Sequence, residues 1–145
     1  SLGLGSWLPV LTVGVLPTMY GAWLQVVFGL TQHAGLAEDV LDHRLNARTV
    51  YLNPVFRFLY WNMNYHVEHH MFPMVPYHAL PRLHATIKHD LPPANPSILQ
   101  AYAEMTRALW RQRTDPTHTI TPDLPLTARP YRADLHQLSP ERGAQ

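Results

Sequence analysis

The sequence predicts an all-α protein: an integral membrane helical fragment with one kinked or two short apolar helices, then cytoplasmic interfacial helices and a disordered C-terminal tail. Three observations lead to this prediction. No Asp, Glu, Lys or Arg occurs in residues 1–32. The later apolar segments are shorter, rich in aromatic residues and interrupted by charges and prolines. Residues 114–145 are rich in Pro, Thr, Arg and Asp without sustained periodicity, which is typical of a polar tail.

The composition excludes several classes of function. The 145 residues suit about one domain, and 46% of them are hydrophobic against 14% charged. The net charge of +1 and the lack of a basic stripe give no reason to expect nucleic acid as a partner. Because there is no Cys, disulfides, thiolate zinc sites and thiol nucleophiles are excluded. The ten His residues, with Asp and Glu, are therefore the available metal ligands.

The first predicted element is the apolar core, residues 7–30, of the uncharged run at residues 1–32. It exceeds the roughly 20 apolar residues that a membrane span needs, and a buried helix of a soluble protein is the less favoured alternative. Pro9 and Pro17 tend to kink or break a helix. A helix over all of residues 1–32 would extend about 48 Å, so we favour two pieces over one kinked span. The chain opens on Ser1 without a basic leader, so we expect a fragment of a longer protein.

The middle of the chain alternates between polar and apolar segments. Residues 34–49 carry five Asp, Glu and Arg residues and predict a water-facing loop or short helix. In residues 50–63, the apolar positions after Pro54 fit a helix at, or partly in, the membrane surface. Residues 71–76 contain two prolines and predict an irregular turn.

Two further helices are predicted before the tail. Residues 77–90 form an amphipathic pattern that the pair Pro92 and Pro93 ends. Pro96 suits the first position of a second helix, which runs to residue 113 with an apolar stripe. We interpret both helices as packing elements rather than as parts of a site.

The chemistry of the sequence is concentrated in one histidine cluster. His66, His69 and His70 stand at i, i+3 and i+4, positions that share one face of a helix. Three imidazoles there predict a metal site, although imidazole suits iron, zinc and copper alike. The zinc-protease pattern H-E-x-x-H is excluded because Val67 stands where its Glu is needed. No Ser occurs in a Gly-x-Ser-x-Gly context that would indicate a nucleophile.

His33 is a fourth candidate ligand. It ends the uncharged run, so a membrane-crossing helix would bring its imidazole to the water boundary. Taken alone, such a residue is more often a cap or a packing residue. With the cluster following the next apolar segment at similar depth, we favour a ligand role for His33.

The region around the cluster resembles the membrane fatty acid desaturases. The sequence HVEHH at residues 66–70 is similar to the third histidine box, H-x-x-H-H, of that family. The surrounding NMNYHVEHHMFPMVPYHALPRLH resembles the family's sequence on both sides of this box. QHAGL followed by DHRLNART is similar to the segment that many bacterial members carry between their last span and the box. The resemblance covers residues 16–109 and does not extend to the tail.

The resemblance implies a set of metal ligands. Family members bind two irons at the cytosolic membrane face through histidines from three boxes and a single intervening His. By position, His66, His69 and His70 correspond to the third box and His33 to the intervening ligand. The first two boxes precede these segments in the family and are absent ahead of them here. We therefore expect residues 1–113 to be the C-terminal part of a desaturase domain, inactive alone, with residues 114–145 as its tail.

The remaining histidines are expected to have other roles. His43, near Asp42, is a candidate to contact the metal ligands from behind. The three histidines after the box lie in a predicted surface helix, so we interpret them as non-ligands: His78, His84 and His89. His118 and His136 fall in the tail and are expected to be solvated.

The resemblance also implies an activity. It indicates an O2-dependent, non-haem di-iron acyl-chain desaturase of lipid metabolism, with no catalytic residues beyond the metal ligands. O2 would be the co-substrate, and a ferredoxin or cytochrome-type protein the external electron donor. The expected location is a membrane, in bacteria the inner membrane, with the boxes on the cytoplasmic face. The alternatives are a related hydroxylase or ketolase, and a non-enzymatic His-rich segment that binds metal at a membrane surface.

Overall fold

The structure, a computed structural model, describes residues 5–129. This part of the chain is helical and contains no strand, with three isolated β-bridges between extended segments. The predicted all-α class is confirmed. The helices in chain order are α1 (Leu16–Tyr20), α2 (Ala22–His33), α3 (His43–Asn46), α4 (Pro54–Leu59), α5 (His66–Met71), α6 (Leu80–Ile87) and α7 (Ile98–Gln112).

The uncharged run forms one helical rod of 24 residues, Val10–His33, that is long and apolar enough to cross a membrane. The rod departs from regular α-helical geometry just before Pro17. The π-helical stretch Val10–Val15 directly precedes α1, in which Pro17 lacks a backbone N–H to donate. The favoured interpretation of two separate pieces is wrong, because one continuous helical rod is observed. Its length is about 36 Å, because the regular rod begins well after Ser1.

The short helices α3 and α4 begin at side-chain caps. The Asp42 carboxylate accepts a hydrogen bond from the Arg44 backbone N–H at 3.0 Å and so starts α3. The Asn53 side chain accepts one from the Phe56 N–H at 2.9 Å, with Pro54 in the first turn of α4. The segment between them is extended and lies beside the residues that precede α5, with a bridge from Thr49 to Tyr65. These contacts bring the start of α5 back towards the end of α2.

The second half of the chain packs against this unit. The predicted turn is irregular at residues 72–76, because Met71 still belongs to α5. Helical residues follow from Tyr77 to Asp90, where short 3-10 turns flank α6. Both predicted late helices are therefore confirmed. The buried face of α7 consists of Ala101, Met105 and Ala108. Small side chains let α7 approach α2 closely.

Gly35 shows how close that approach is. It has a φ of +79°, and a Cβ placed there would lie 3.1 Å from the Cβ of Ala108 and 3.2 Å from Ile120. Its carbonyl oxygen accepts a hydrogen bond of 2.7 Å from the Ile120 N–H. Glycine is therefore required both for the backbone turn after α2 and for the space beside α7.

Two buried arginines hold the segments after α2 together. Arg48 donates to the carbonyl of Thr31 at 2.8 Å and pairs with Glu104 of α7 at 3.4 Å. Burial lowers the pKa of Arg48, and the neighbouring Glu104 opposes that change. Arg44 pairs with Asp42 at 2.8 Å and with Asp90 at 3.1 Å. A buried cation is costly without such partners, so these pairs determine how the segments dock.

The part of the predicted tail that the structure describes, residues 114–129, has no helix but has defined contacts. The Arg129 N–H donates to Asp90 at 2.5 Å, and its carbonyl accepts from Arg44 at 2.9 Å. The Thr127 hydroxyl donates to the carbonyl of His89 at 2.5 Å. The remainder of the predicted disordered tail, including His136, lies outside the described residues.

Leu80 provides a test of this packing. Its side chain is 0% exposed at the start of α6, whereas Leu99 in α7 is 78% exposed. Leu80→Ala should lower the free energy of unfolding by about 2–5 kcal/mol because it removes buried methyl groups and leaves a cavity. Leu99→Ala, the matched control, should change it by less than about 0.5 kcal/mol. Denaturant unfolding of the detergent-solubilised protein measures both, and equal effects would contradict this fold.

Candidate metal centre

Three imidazoles meet where the end of α2 faces α5. His33 is the last residue of α2, and His66 and His70 lie one turn apart on α5. The Nε2 atom of His33 lies 2.8 Å from that of His66 and 3.3 Å from that of His70. The Nε2 atoms of His66 and His70 are 3.0 Å apart. The cluster thus joins residues that are more than 30 positions apart in sequence.

These separations fit ligands of one metal ion. Two nitrogens bound at about 2.1 Å with an angle of roughly 90–110° lie about 3.0–3.4 Å apart. The three Nε2 atoms form a triangle with edges of 2.8, 3.0 and 3.3 Å, close to that range. Three nitrogen lone pairs on one side leave the other side open for further ligands. The donor set therefore fits a metal bound by three imidazoles, and imidazole alone suits several transition metals.

A hydrogen bond fixes the tautomer of His33. Its Nδ1 lies 2.7 Å from the carbonyl oxygen of Asn46, at the end of α3. A carbonyl oxygen can only accept, so Nδ1 carries the hydrogen. In the neutral ring Nε2 then carries the lone pair, and it faces the cluster. Such a contact behind a ligand orients the ring and is a regular feature of protein metal sites.

The electrostatics of the cluster favour neutral rings. The pKa of His66 is lowered to about 2, first by burial and then by the nearby imidazoles of His70, His33 and His69. The pKa of His70 is lowered to about 4, first by burial and then by the neighbouring histidines. Both rings are therefore unprotonated at neutral pH. A neutral imidazole is the form that binds metal.

His69, the fourth predicted ligand, lies beside the cluster rather than in it. Its ring centroid is 5.9 Å from those of both His66 and His70. Its Nδ1 is buried and has no hydrogen-bond partner among the described residues. The compact group of nitrogens comprises His33, His66 and His70. The structure thus brings together three of the four predicted ligands, and the role of His69 stays a prediction.

The other histidines lie apart from the three nitrogens. The ring of His43 lies 5.1 Å from that of His70, close enough to support it from α3. His78 and His89 are exposed, and His118 is partly buried. His84 contacts the carboxylate of Glu68, which is a residue of α5. Its ring does not face the three clustered nitrogens.

The polar contacts of Glu68 are not predicted by the sequence. This carboxylate is fully buried and accepts hydrogen bonds from the Thr49 hydroxyl at 2.6 Å and from His84. A charged residue such as Glu68 needs a polar partner if the fold buries it, and its position beside Val67 makes burial plausible from the sequence. The identity of that partner was not readable, since Thr49 and His84 are distant in sequence.

Comparison with known proteins identifies a family for this chain. The potential membrane span ends at His33, where the imidazoles of His66 and His70 on α5 converge with that of His33. The family model for fatty acid desaturases matches residues 1–102, which include all four predicted ligands. The chain belongs to the fatty acid desaturase family. Neither curated proteins nor solved structures give a significant match.

The depressed pKa values predict a pH dependence of stability in the metal-free protein. Unfolded histidine has a pKa of about 6.5, whereas folded His66 and His70 titrate near 2 and 4. Between these values the unfolded state binds protons that the folded state excludes. The stability is therefore present above pH 6.5 and is lost as the pH falls towards 4.

The thermal midpoint measured between pH 7 and pH 4 tests this expectation. His66→Asn should flatten the pH dependence because it removes one of the titrating groups. His89→Asn, a change at an exposed histidine, should leave the slope as it is. Parallel curves for the wild type and His66→Asn would contradict the assignment.

Proposed function

We propose that this chain forms part of the active site of an O2-dependent, non-haem di-iron desaturase that acts on acyl chains in a membrane. Membership of the fatty acid desaturase family supports the reaction class. The observation that carries the proposal is the convergence of the Nε2 atoms of His33, His66 and His70 within 2.8–3.3 Å. Three imidazoles at this spacing are a metal-binding arrangement, and family membership favours iron.

The residues present would hold one side of such a site. His33, His66 and His70 would bind iron through Nε2, with His69 available to a second ion beside them. Iron bound there would supply the activation of dioxygen and the oxidation of an unactivated C–H bond. Two irons need more ligands than these four histidines, so the proposal requires further ligands that correspond to the family's first two boxes.

The protein's own contribution is placement. The Nδ1–H of His33 is held by the Asn46 carbonyl, which directs its lone pair at the site. His66 is buried, so bulk water has little access to that ligand. The rod Val10–His33 ends at the cluster, which puts the proposed metal centre at one end of the potential span. An acyl chain in the bilayer could reach the site from that end.

The surface near the cluster supports a membrane location for substrate and protein. Large apolar side chains are exposed along the rod and on and after α4, among them Val55, Phe58 and Trp61. Arg44, Arg48 and Arg57 follow the potential span, and positive charge favours the cytoplasmic side. We propose an integral protein of the bacterial inner membrane with the histidines on its cytoplasmic face. Its proposed partners are membrane lipid, the acyl substrate and a ferredoxin or cytochrome-type electron donor.

Two other functions use the same site. A related hydroxylase or ketolase would share the ligands and differ in the fate of the oxidised carbon. A non-enzymatic, His-rich segment at the membrane surface would bind zinc, for which three imidazoles and one open position are a common set of ligands. The first differs from a desaturase in product, and the second in metal and activity.

Substitution of the cluster tests the metal assignment. In the full-length protein, His66→Ala and His70→Ala should each reduce bound iron and abolish the activity, since each removes one of three converging nitrogens. His69→Ala should do the same if His69 binds a second ion. His89→Ala is the matched control and should retain both iron and activity. Iron content is measured by elemental analysis. A wild-type iron content in His66→Ala would contradict the assignment of His66 as a metal ligand.

Product analysis separates the alternative reactions. The full-length protein, supplied with O2, an electron donor and membrane lipids, should introduce a double bond into an acyl chain. Mass spectrometry of the released fatty acids distinguishes a loss of two hydrogens from a gain of one oxygen. A hydroxylated or keto product would identify the related enzyme class. Bound zinc, with no lipid changed, would favour the non-enzymatic segment.

A further inference from the structure

A second polar group lies on α5, away from the three nitrogens. Glu68 is two residues from both His66 and His70, which places it roughly 160–200° around the helix from them. Its side chain is 0% exposed. A buried carboxylate costs several kcal/mol unless hydrogen bonds replace its hydration. The position of Glu68 therefore depends on whichever donors reach it.

Both donors come from other parts of the chain. The Thr49 hydroxyl, in the extended segment before α4, donates to Oε2 of Glu68 at 2.6 Å. The Nδ1 of His84, in α6, donates to Oε1 because a carboxylate oxygen only accepts. The far side of the His84 ring is held in turn, since the Tyr51 hydroxyl lies 2.9 Å from its Nε2. Glu68 thus joins α5 to two separate segments.

We propose that Glu68 is a positioning residue for the metal centre, held in place by His84 and Thr49. The inference rests on the metal site proposed above. Glu68 fixes the rotation of α5 about its axis, and this rotation decides where His66 and His70 present their Nε2 atoms. A rotation of about 20° would move an atom 5–6 Å from the axis by about 2 Å. Such a shift is about as large as a metal–imidazole bond, so the triangle of nitrogens would be lost.

The other contacts of α5 do not fix its rotation about its own axis. Val67 packs with Ala47 and Leu91 in an apolar cluster, which resists displacement of the helix but has no directional bonds. Within the described residues, the imidazoles of His66 and His70 bond only to other imidazoles of the cluster. Glu68 alone on α5 has two hydrogen bonds from its side chain to residues outside the cluster. Directional bonds specify a rotation where apolar packing does not.

The chain offers matched variants for the test. Thr49→Val removes the hydroxyl at nearly constant shape, whereas Thr49→Ser retains it. His84→Leu removes the donor to Glu68, whereas His84→Asn retains an N–H at the position of Nδ1. His89→Leu changes an exposed histidine just after α6 and serves as the control. None of these substitutions alters a proposed metal ligand.

The measurement uses the full-length protein in detergent, freed of metal and loaded with Co2+. Two properties are recorded: the ligand-field absorption of bound cobalt, and the chelator concentration that removes half of it. Thr49→Val and His84→Leu should lower that concentration about tenfold or more and shift the absorption bands. Thr49→Ser, His84→Asn and His89→Leu should stay within about threefold of the wild type with unchanged bands.

The outcomes separate this inference from the proposed function. If the wild-type protein takes up no cobalt, the metal centre itself fails. If it does, and Thr49→Val and His84→Leu retain the wild-type spectrum and chelator resistance, the positioning role is overturned. A lower thermal midpoint with an unchanged cobalt spectrum would also overturn it, because it shows a purely structural role. Should His84→Leu not accumulate in folded form, the Thr49→Val and Thr49→Ser pair decides the question.

Discussion

The orientation of α5 is the constraint on which the site depends. This helix has six residues, too few to be stable alone in water. Its geometry must therefore come from what each face contacts. His66 and His70 face the end of α2, Val67 faces the apolar cluster, and Glu68 faces Thr49 and His84. Because these faces point in different directions, one rotation of the helix satisfies all of them together.

Buried polar contacts help to fix how α5 and its neighbouring segments pack. Among the fully buried side chains of the described residues, the largest are Leu80, Glu68 and Val67, and one of these three is a carboxylate. Arg44 and Arg48 are also buried, and both are paired with carboxylates. Buried charges add little net stability, but they disfavour every packing in which their partners are lost. A small apolar core and several buried ion pairs together specify how these short helices dock.

The apolar side chains that the core does not use are on the outside. The rod Val10–His33 exposes large apolar residues along its length, and so does the region around α4. A soluble monomer rarely exposes apolar surface on this scale. In a bilayer the same surface is solvated by lipid, and the polar segments that pack around α5 lie beyond the end of the rod. The proposed metal centre would then lie at the boundary between the lipid and the aqueous phase.

The sequence by itself determined the helical class, the potential span and the identity of the four candidate ligands. Charge-free length and histidine spacing are local properties, so they are readable without coordinates. The sequence could not determine whether Pro17 would break the rod. In the structure a π-helical stretch, Val10–Val15, directly precedes α1, and the helix continues past Pro17.

Only the tertiary structure decided which histidines meet. His33 reaches His66 and His70 across more than 30 residues, whereas His69, one residue from His70, turns to the side. The partners of Glu68 were likewise decided by docking, since Thr49 and His84 approach it from segments on either side in sequence. Local spacing sets which side chains share a helix face, but the direction of that face depends on long-range contacts between helices too short to be stable alone.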